Sequence, residues 1–328
     1  MSRVLVTGGA GYIGSHTVLA LAEQGHDVVV YDSLEEGHAE SVKGFPLIQG
    51  NLHDTEKLAA VLRDHRIESV VHFAAYLKVP ESMEKPAKYF YNNTAGTLNL
   101  MEQMVLAGVK KMVFSSTCAV YGEPERIPLT EDQPKNPTSP YGLSKWMSEQ
   151  MMDWYSRIHG LQSIRLRYFN AAGADPRGRI GEDHRPEIHL IPLVLQVALG
   201  QRAEIFMYGD DYDTPDGTCV RDYIHVTDLA QGHLLALQGL ERGMETTAYN
   251  AGNGAGFSVK EVIEAARDVT GHPIPASIRG RRPGDPARLI GSAEKLKSEL
   301  GWKPEFAGLK TIIQTAWDWH RTHPHGYN

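Results

Sequence analysis

The first fourteen residues constrain the chain most. Arg3 to Thr7 is a short apolar run, and Gly8, Gly11 and Gly14 follow it at three-residue spacing. Tyr12 to about Gln24 then reads as a helix. A strand, a glycine-rich turn and a helix in that order make a phosphate-binding unit. Gly8 permits the sharp turn, Gly11 leaves room for a pyrophosphate against the backbone, and Gly14 lets helix and strand pack closely. The free N–H groups of the helix start, around Tyr12 and Ile13, then face the phosphates. The spacing is G-x-x-G-x-x-G rather than G-x-G-x-x-G. A second strand, Asp27 to Tyr31, ends at Asp32, 18 residues past Gly14. A carboxylate there accepts hydrogen bonds from a ribose diol and repels a 2′-phosphate. Ser33 follows, not an arginine that would receive that phosphate. The expected cofactor is therefore NAD, not NADP.

Strands and helices go on alternating. Strands are expected at Pro46–Gln49, Ser69–Phe73, Lys111–Ser115 and Gln162–Tyr168. Helices are expected at about Thr55–His65, Pro86–Ala107 and Tyr141–His159. This pattern predicts an α/β fold, a Rossmann-type doubly wound parallel sheet covered on both faces, with ligands beyond the carboxyl ends of its strands. The pairs Asn51-Leu52, Ala74-Ala75, Ser116-Thr117 and Phe169-Asn170 all fall just past such ends. Near Ala171 the texture changes to a Gly/Pro/charge-rich loop through Glu187. A helix near Ile191–Leu199, a strand at Ile205–Tyr208, and a turn then a helix over Arg221–Glu241 are expected next. Tyr249-Asn250 closes a further strand, Ser258 with Glu261 makes a capping box for a helix to about Val269, and a last helix spans about Leu309–Arg321. We expect an NAD-binding Rossmann domain over 1–170, with a return segment near 221–250, and a smaller α/β C-terminal domain over 171–328 for the substrate.

A formal net charge of −7 without a basic run argues against nucleic-acid and anionic-membrane partners. No apolar run approaches the roughly 18 residues of a membrane span. Arg3 begins a strand at once, which leaves no room for a signal peptide. Only Cys118 and Cys219 occur, too few for a disulfide framework and suited to a reducing cytoplasm. His320, His323 and His325 near the end lack the spacing of a ligand pair and read as a solvated, partly frayed tail. No metal is expected.

The chemistry points to Tyr141 and Lys145, one helical turn apart on one face. A free tyrosine, with a pKa of ~10, is a poor base at neutral pH. A nearby ammonium and a positive nicotinamide ring both favour phenolate and make it a proton acceptor. Thr117 can hydrogen-bond both the phenol and a substrate hydroxyl.

These residues stand within longer motifs: Thr7–Gly14, Phe114-Ser115-Ser116-Thr117, Val120-Tyr121-Gly122, Ser139-Pro140-Tyr141 with Lys145, and Leu166-Arg167-Tyr168-Phe169-Asn170. Further on come Gly217 with Val220 to Val226, Arg281-Arg282 with Gly284-Asp285, and His323-Pro324 with Gly326-Tyr327. On these motifs the chain resembles the extended short-chain dehydrogenase/reductases, and among them the UDP-galactose 4-epimerase family. The resemblance implies reversible oxidation at C4 of a sugar still attached to UDP, rotation of the 4-keto sugar, and return of the hydride to its other face. Tyr141 would take the C4 hydroxyl proton, Thr117 would align that hydroxyl, and Lys145 would contact the nicotinamide ribose. The implied NAD contacts include Ser33, Asn51, Leu52, Phe73, Ala74, Ala75, Asn92, Ser115 and Tyr168. The implied UDP contacts are Asn170, Leu190, Phe206, Tyr208, Arg221, Tyr223, Arg282 and Asp285. His189 stands where an asparagine is frequent beside the uracil and phosphates, Asn51 where an aspartate is, and Lys78 one position later than usual. Leu289 occupies the position that gates the sugar's C2 substituent, which admits UDP-N-acetylhexosamines as secondary substrates.

Two other readings stay open on the same fold. A nucleotide-sugar 4,6-dehydratase would resemble this chain with an Asp-Glu pair after the threonine, where Cys118 and Ala119 stand instead. A UDP-pentose 4-epimerase stays open because the residues do not decide the sugar. From a different class, a non-catalytic NAD sensor could do without Thr117, Tyr141 and Lys145. The resemblance also implies a homodimer built from helices Pro86–Ala107 and Tyr141–His159, on which Met147, Met151, Trp154, Tyr155 and Ile158 recur at helical spacing.

Overall fold

The computed structural model describes residues 2–282 and 285–327. Gly284 of the arginine motif lies outside the described residues. In chain order the strands are β1 (Arg3–Thr7), β2 (Asp27–Asp32), β3 (Leu47–Gln49), β4 (Ser69–His72), β5 (Lys111–Thr117), β6 (Gln162–Tyr168) and β7 (Asn170–Ala172). Then come β8 (Ile205–Tyr208), β9 (Val220–His225), β10 (Thr247–Ala251), β11 (Gly256–Ser258), β12 (Ala276–Arg279) and β13 (Arg288–Leu289).

Seven strands form one parallel sheet in the order β10-β6-β5-β4-β1-β2-β3. Both of its faces are covered, which is why the middle of β1, Val4-Leu5-Val6, is an unbroken apolar run rather than alternating with polar residues. Val4 and Val6 pack with Val18 and Leu21 of the helix Tyr12–Glu23 and Leu229 and Leu234 of the helix Val226–Glu241. Leu5 packs on the opposite face with Leu58 and Leu62 of Thr55–Asp64 and Leu100, Met101 and Met104 of Gly96–Leu106. The chain runs outward from β1 through β2 to β3, then returns to place β4 on β1's other side. That reversal opens a crevice beyond the carboxyl ends of β1 and β4.

The smaller sheets are built around β9. It runs parallel to β7 and β13 and antiparallel to β11, while β8 pairs with β12 in a two-stranded sheet. A separate core of Ile191, Val194, Leu195, Val262, Ile263, Ile312 and Ile313 joins the helices Leu190–Ala198, Val259–Thr270 and Leu309–Thr322. The Ser258–Glu261 capping box forms in full at the start of Val259–Thr270.

Three expectations are corrected. Arg221 begins no turn: Val220–His225 is a strand, and its charged pair is satisfied inside the fold. Arg221 pairs with Asp285, while the buried Asp222 carboxylate accepts the N–H groups of Asn253, Gly254 and Gly291. The helix expected over Pro86–Ala107 is Pro86–Tyr89, a π-helical turn Phe90–Ala95, and Gly96–Leu106, preceded by an unforeseen helix Val79–Glu84. Asn93 of the π turn points inward to bond both backbone groups of Tyr76 and the Ser144 hydroxyl. The C-terminal segment is not frayed. The His323 ring stacks on the buried Trp319 at 4.9 Å, Tyr327 donates its N–H to Asp183, and its hydroxyl accepts the N–H of Gly181.

Candidate active site

A cleft of about 540 Å³ occupies the crevice, within the roughly 300–1,000 Å³ usual for ligand sites. The glycine turn forms its floor by steric necessity. Gly8 has φ +71°, and a Cβ there would lie 2.4 Å from the Ala74 nitrogen. A Cβ on Gly14 would meet the Gly8 carbonyl oxygen at 2.2 Å. Gly11 differs: its Cβ would touch only the Gly8 oxygen, at 3.4 Å, and would project into the cleft. The absent side chain thus leaves a cradle for a phosphate. Tyr12, Ile13, Asp32, Ser33, Asn51, Leu52, Phe73, Ala74, Ala75, Asn92, Ser115 and Tyr168 border the same cleft. Asp32 is fixed by the N–H groups of Ala10 and Leu34, both at 2.9 Å, and burial raises its pKa. No arginine or lysine stands beside it among the cleft residues, so a dinucleotide with free ribose hydroxyls fits. Lys78 is engaged elsewhere, at 2.9 Å from the Glu36 carboxylate.

Thr117 ends β5, while Tyr141 and Lys145 begin the helix Pro140–His159, whose N-cap Ser139 accepts the Gly142 N–H. All three face the cleft. Lys145 is only 3% exposed and its Nζ donates to the Ser115 carbonyl at 2.9 Å. Burial pulls its pKa down to about 7, against the opposing pull of Glu149. Burial also raises the Tyr141 phenol well above its ordinary value, with Tyr168 adding to this and a Thr117 hydrogen bond opposing it. In the protein alone, desolvation therefore outweighs the Thr117 hydrogen bond and holds the phenol protonated. Behind the pair, the buried Glu149 accepts Ser116 Oγ at 2.5 Å and forms a two-pronged pair with Arg167 at 3.0 and 2.5 Å. Cys118 also borders the cleft, but burial pushes its thiol up to about 12, which suits a space-filling role.

Of the residues expected on the substrate side, Asn170, His189, Arg282, Asp285 and Leu289 border the cleft. Leu190, Phe206, Tyr208, Arg221 and Tyr223 are not among its described lining residues. Arg221 is turned onto Asp285 at 2.6 Å, and the Arg282 guanidinium lies 3.9 Å above the Tyr208 ring. Leu190 and Tyr223 pack in the second core. Leu289 both borders the cleft and packs against the cluster of Cys118, Val120, Tyr121, Leu129 and Phe169. Sequence reasoning missed Glu182 and His184, which line the cleft beside His189. Burial opposes charge on His184 and His189, but Glu182 and Glu187 outweigh it and raise them to about 9 and about 10. The only sequence trace of this group is the spacing Glu-x-His-x-x-Glu-x-His inside a stretch that reads as loop.

The sequence model of the NAD dependent epimerase/dehydratase family matches residues 4–252. The UDP-glucose 4-epimerase of Halalkalibacterium halodurans is 55% identical over 325 residues, 99% of this chain and 97% of that one. A crystal structure of a UDP-glucose 4-epimerase superposes with a TM-score of 0.98 at 53% identity, covering 99% of both chains. The Brucella ovis UDP-glucose 4-epimerase in complex with NAD superposes with a TM-score of 0.95 at 44% identity, covering 97% of this chain and 98% of that one.

Proposed function

Because the chain belongs to the NAD dependent epimerase/dehydratase family, we propose that it interconverts UDP-galactose and UDP-glucose by inverting C4 through a transient 4-keto sugar. One arrangement carries this reading: Thr117, Tyr141 and Lys145 border the same cleft as the glycine turn and Asp32 at one end and Arg282, Asp285 and Leu289 at the other. In this reading residues 1–170 with the return near 221–250 hold NAD, and the rest of 171–328 holds the UDP-sugar.

Bound NAD supplies the hydride acceptor, returns the same hydride so that none is consumed, and brings a positive ring to the buried phenol. Asp32 receives a ribose diol, and the backbone at Gly11 to Ile13 receives the pyrophosphate. Tyr141 accepts the C4 hydroxyl proton as C4 is oxidised and gives it back when the opposite face is reduced. Thr117 holds that hydroxyl in line. Lys145, pinned by the Ser115 carbonyl, fixes the height of the helix turn that carries Tyr141. Arg282 and Arg221 offer guanidinium groups to two phosphates, and Asp285 offers a carboxylate to the uridine ribose. Closure of Arg221 onto the UDP requires it to loosen from Asp285. We assign the activity to the cytoplasm; among the described residues no helix is long and apolar enough to cross a membrane. The enzyme works as a homodimer.

The test is incubation with UDP-galactose and no added cofactor, with UDP-glucose as the expected product. A 4-keto-6-deoxy sugar would identify a dehydratase instead, and no turnover in NAD-loaded protein would identify a sensor. Tyr141→Phe is expected to lower kcat by about 10²–10⁴-fold while NAD and UDP binding persist, since it removes a proton acceptor and almost no volume. Unimpaired turnover in that variant would remove Tyr141 from the mechanism.

A further inference from the structure

The segment Glu182–His189 runs along the cleft wall between Gly181, which receives the Tyr327 hydroxyl, and the helix Leu190–Ala198. It turns four ligating side chains toward one point. Glu182, His184, Glu187 and His189 each offer one oxygen or nitrogen, and these atoms lie within 4.8 Å of one another. His189 Nδ1 is 3.0 Å from Glu182 Oε1 and 2.8 Å from Glu187 Oε1. His184 Nδ1 is 3.1 Å from the same Glu182 oxygen and 3.6 Å from Glu187 Oε2. A tetrahedral zinc ion with bonds of about 2.0–2.1 Å spaces its donors roughly 3.3 Å apart. These four separations fall within about 0.5 Å of that spacing, with Glu187 turning Oε1 to His189 and Oε2 to His184.

A second observation is independent of these distances. His184 Nδ1 is buried and makes no hydrogen bond among the described residues, although two carboxylates flank it. The Glu182 and Glu187 side chains are 4% and 5% exposed, and two carboxylates that dry require cationic compensation. The two imidazoles beside them balance that charge when protonated, and a divalent ion balances it by displacing those two protons. Supporting contacts are also present: the N–H groups of Ile188 and His189 donate to Glu187 Oε1 at 2.7 and 2.8 Å.

We propose that Glu182, His184, Glu187 and His189 bind a divalent transition-metal ion, zinc by preference for this mixed nitrogen and oxygen set. Four protein ligands close the shell, so the ion is a structural clip. It fixes the fold of this one loop, which lies between the two halves of the cleft wall. The His184 ring meets edge-on the ring of Tyr12, which opens the glycine-turn helix, and His189 immediately precedes the helix Leu190–Ala198. The sequence reading foresaw no metal, since these ligands come from a stretch with no periodicity.

The test uses the untagged full-length protein, stripped with EDTA, dialysed against micromolar Zn²⁺ and assayed for bound metal and thermal midpoint. About one ion per chain and a raised midpoint are expected. His184→Ala and, separately, Glu187→Gln should weaken Zn²⁺ binding by at least about 100-fold, the upper end of what losing a supporting partner alone does, and should abolish the rise in midpoint. A variant with His320, His323 and His325 all changed to Ala should keep the ion. Near-UV circular dichroism identifies variants that fold. Equal Zn²⁺ retention by the folded His184→Ala and wild-type proteins, loss of the ion in the tail variant, or no retained ion in wild type would each overturn the proposal.

Discussion

Lys145 lies one turn from Tyr141, and desolvation pushes both side chains toward their neutral forms. The pair is thus held for chemistry that starts when a positive group enters the cleft, not for a standing phenolate. Leu289 carries the residue-scale prediction about substrate range. It borders the cleft and packs against the small cluster that includes Phe169 and Leu129, so a larger side chain there competes with the cleft for space. Leu289→Tyr should lower kcat/KM for UDP-N-acetyl sugars relative to UDP-galactose and UDP-glucose by roughly tenfold or more, matching a steric term of about 1–3 kcal/mol. An unchanged ratio would mean Leu289 gates nothing.

At the scale of elements, the glycine turn separates structural from ligand-directed glycines. Gly14→Ala drives a Cβ to 2.2 Å from backbone and should destabilise the cofactor-free protein by about 1–3 kcal/mol, read by denaturant titration. Gly11→Ala meets no such obstacle and should stay within about 0.5 kcal/mol of wild type. The same Gly11 variant should bind NAD measurably more weakly, because its methyl group fills the cradle. If instead Gly11→Ala destabilises as much as Gly14→Ala, the turn is under packing constraint alone. The helix Pro140–His159 shows a similar division. The expected apolar stripe splits, with Met151 and Tyr155 packing against the sheet and Met147, Trp154 and Ile158 left facing outward.

For the whole molecule, that outward face is the feature a single chain leaves unexplained. Trp154 is 60% exposed, Ile158 66% and Leu106 of the contacting helix 77%. Apolar side chains clustered in this way on two adjoining helices mark an association surface, and a closed twofold assembly would use the same patch on each copy. Sedimentation at micromolar concentration should give a dimer for wild type and a monomer for Trp154→Glu with Ile158→Glu. A monomeric wild type would sink the homodimer.

The sequence alone determined the features that local chemistry controls. Glycine sterics and the strand–turn–helix order made the cofactor turn legible, and the switch between apolar strand runs and helical periodicity made the parallel sheet legible. The tyrosine and lysine on one helix face follow from helix geometry and needed no partner to be read. Tertiary structure decided whatever depends on residues distant in the chain. Val220–His225 became a strand because three other segments pair with it, while loop residues beside two of them supply partners for Arg221 and Asp222. The tail is ordered because Asp183 and Gly181 receive Tyr327 across more than a hundred residues. Glu182, His184, Glu187 and His189 converge through the path of an irregular loop, which no periodic pattern encodes. Desolvation is likewise a property of the assembled interior, so the protonation of Tyr141 and Lys145 could be read only once the fold had closed around them.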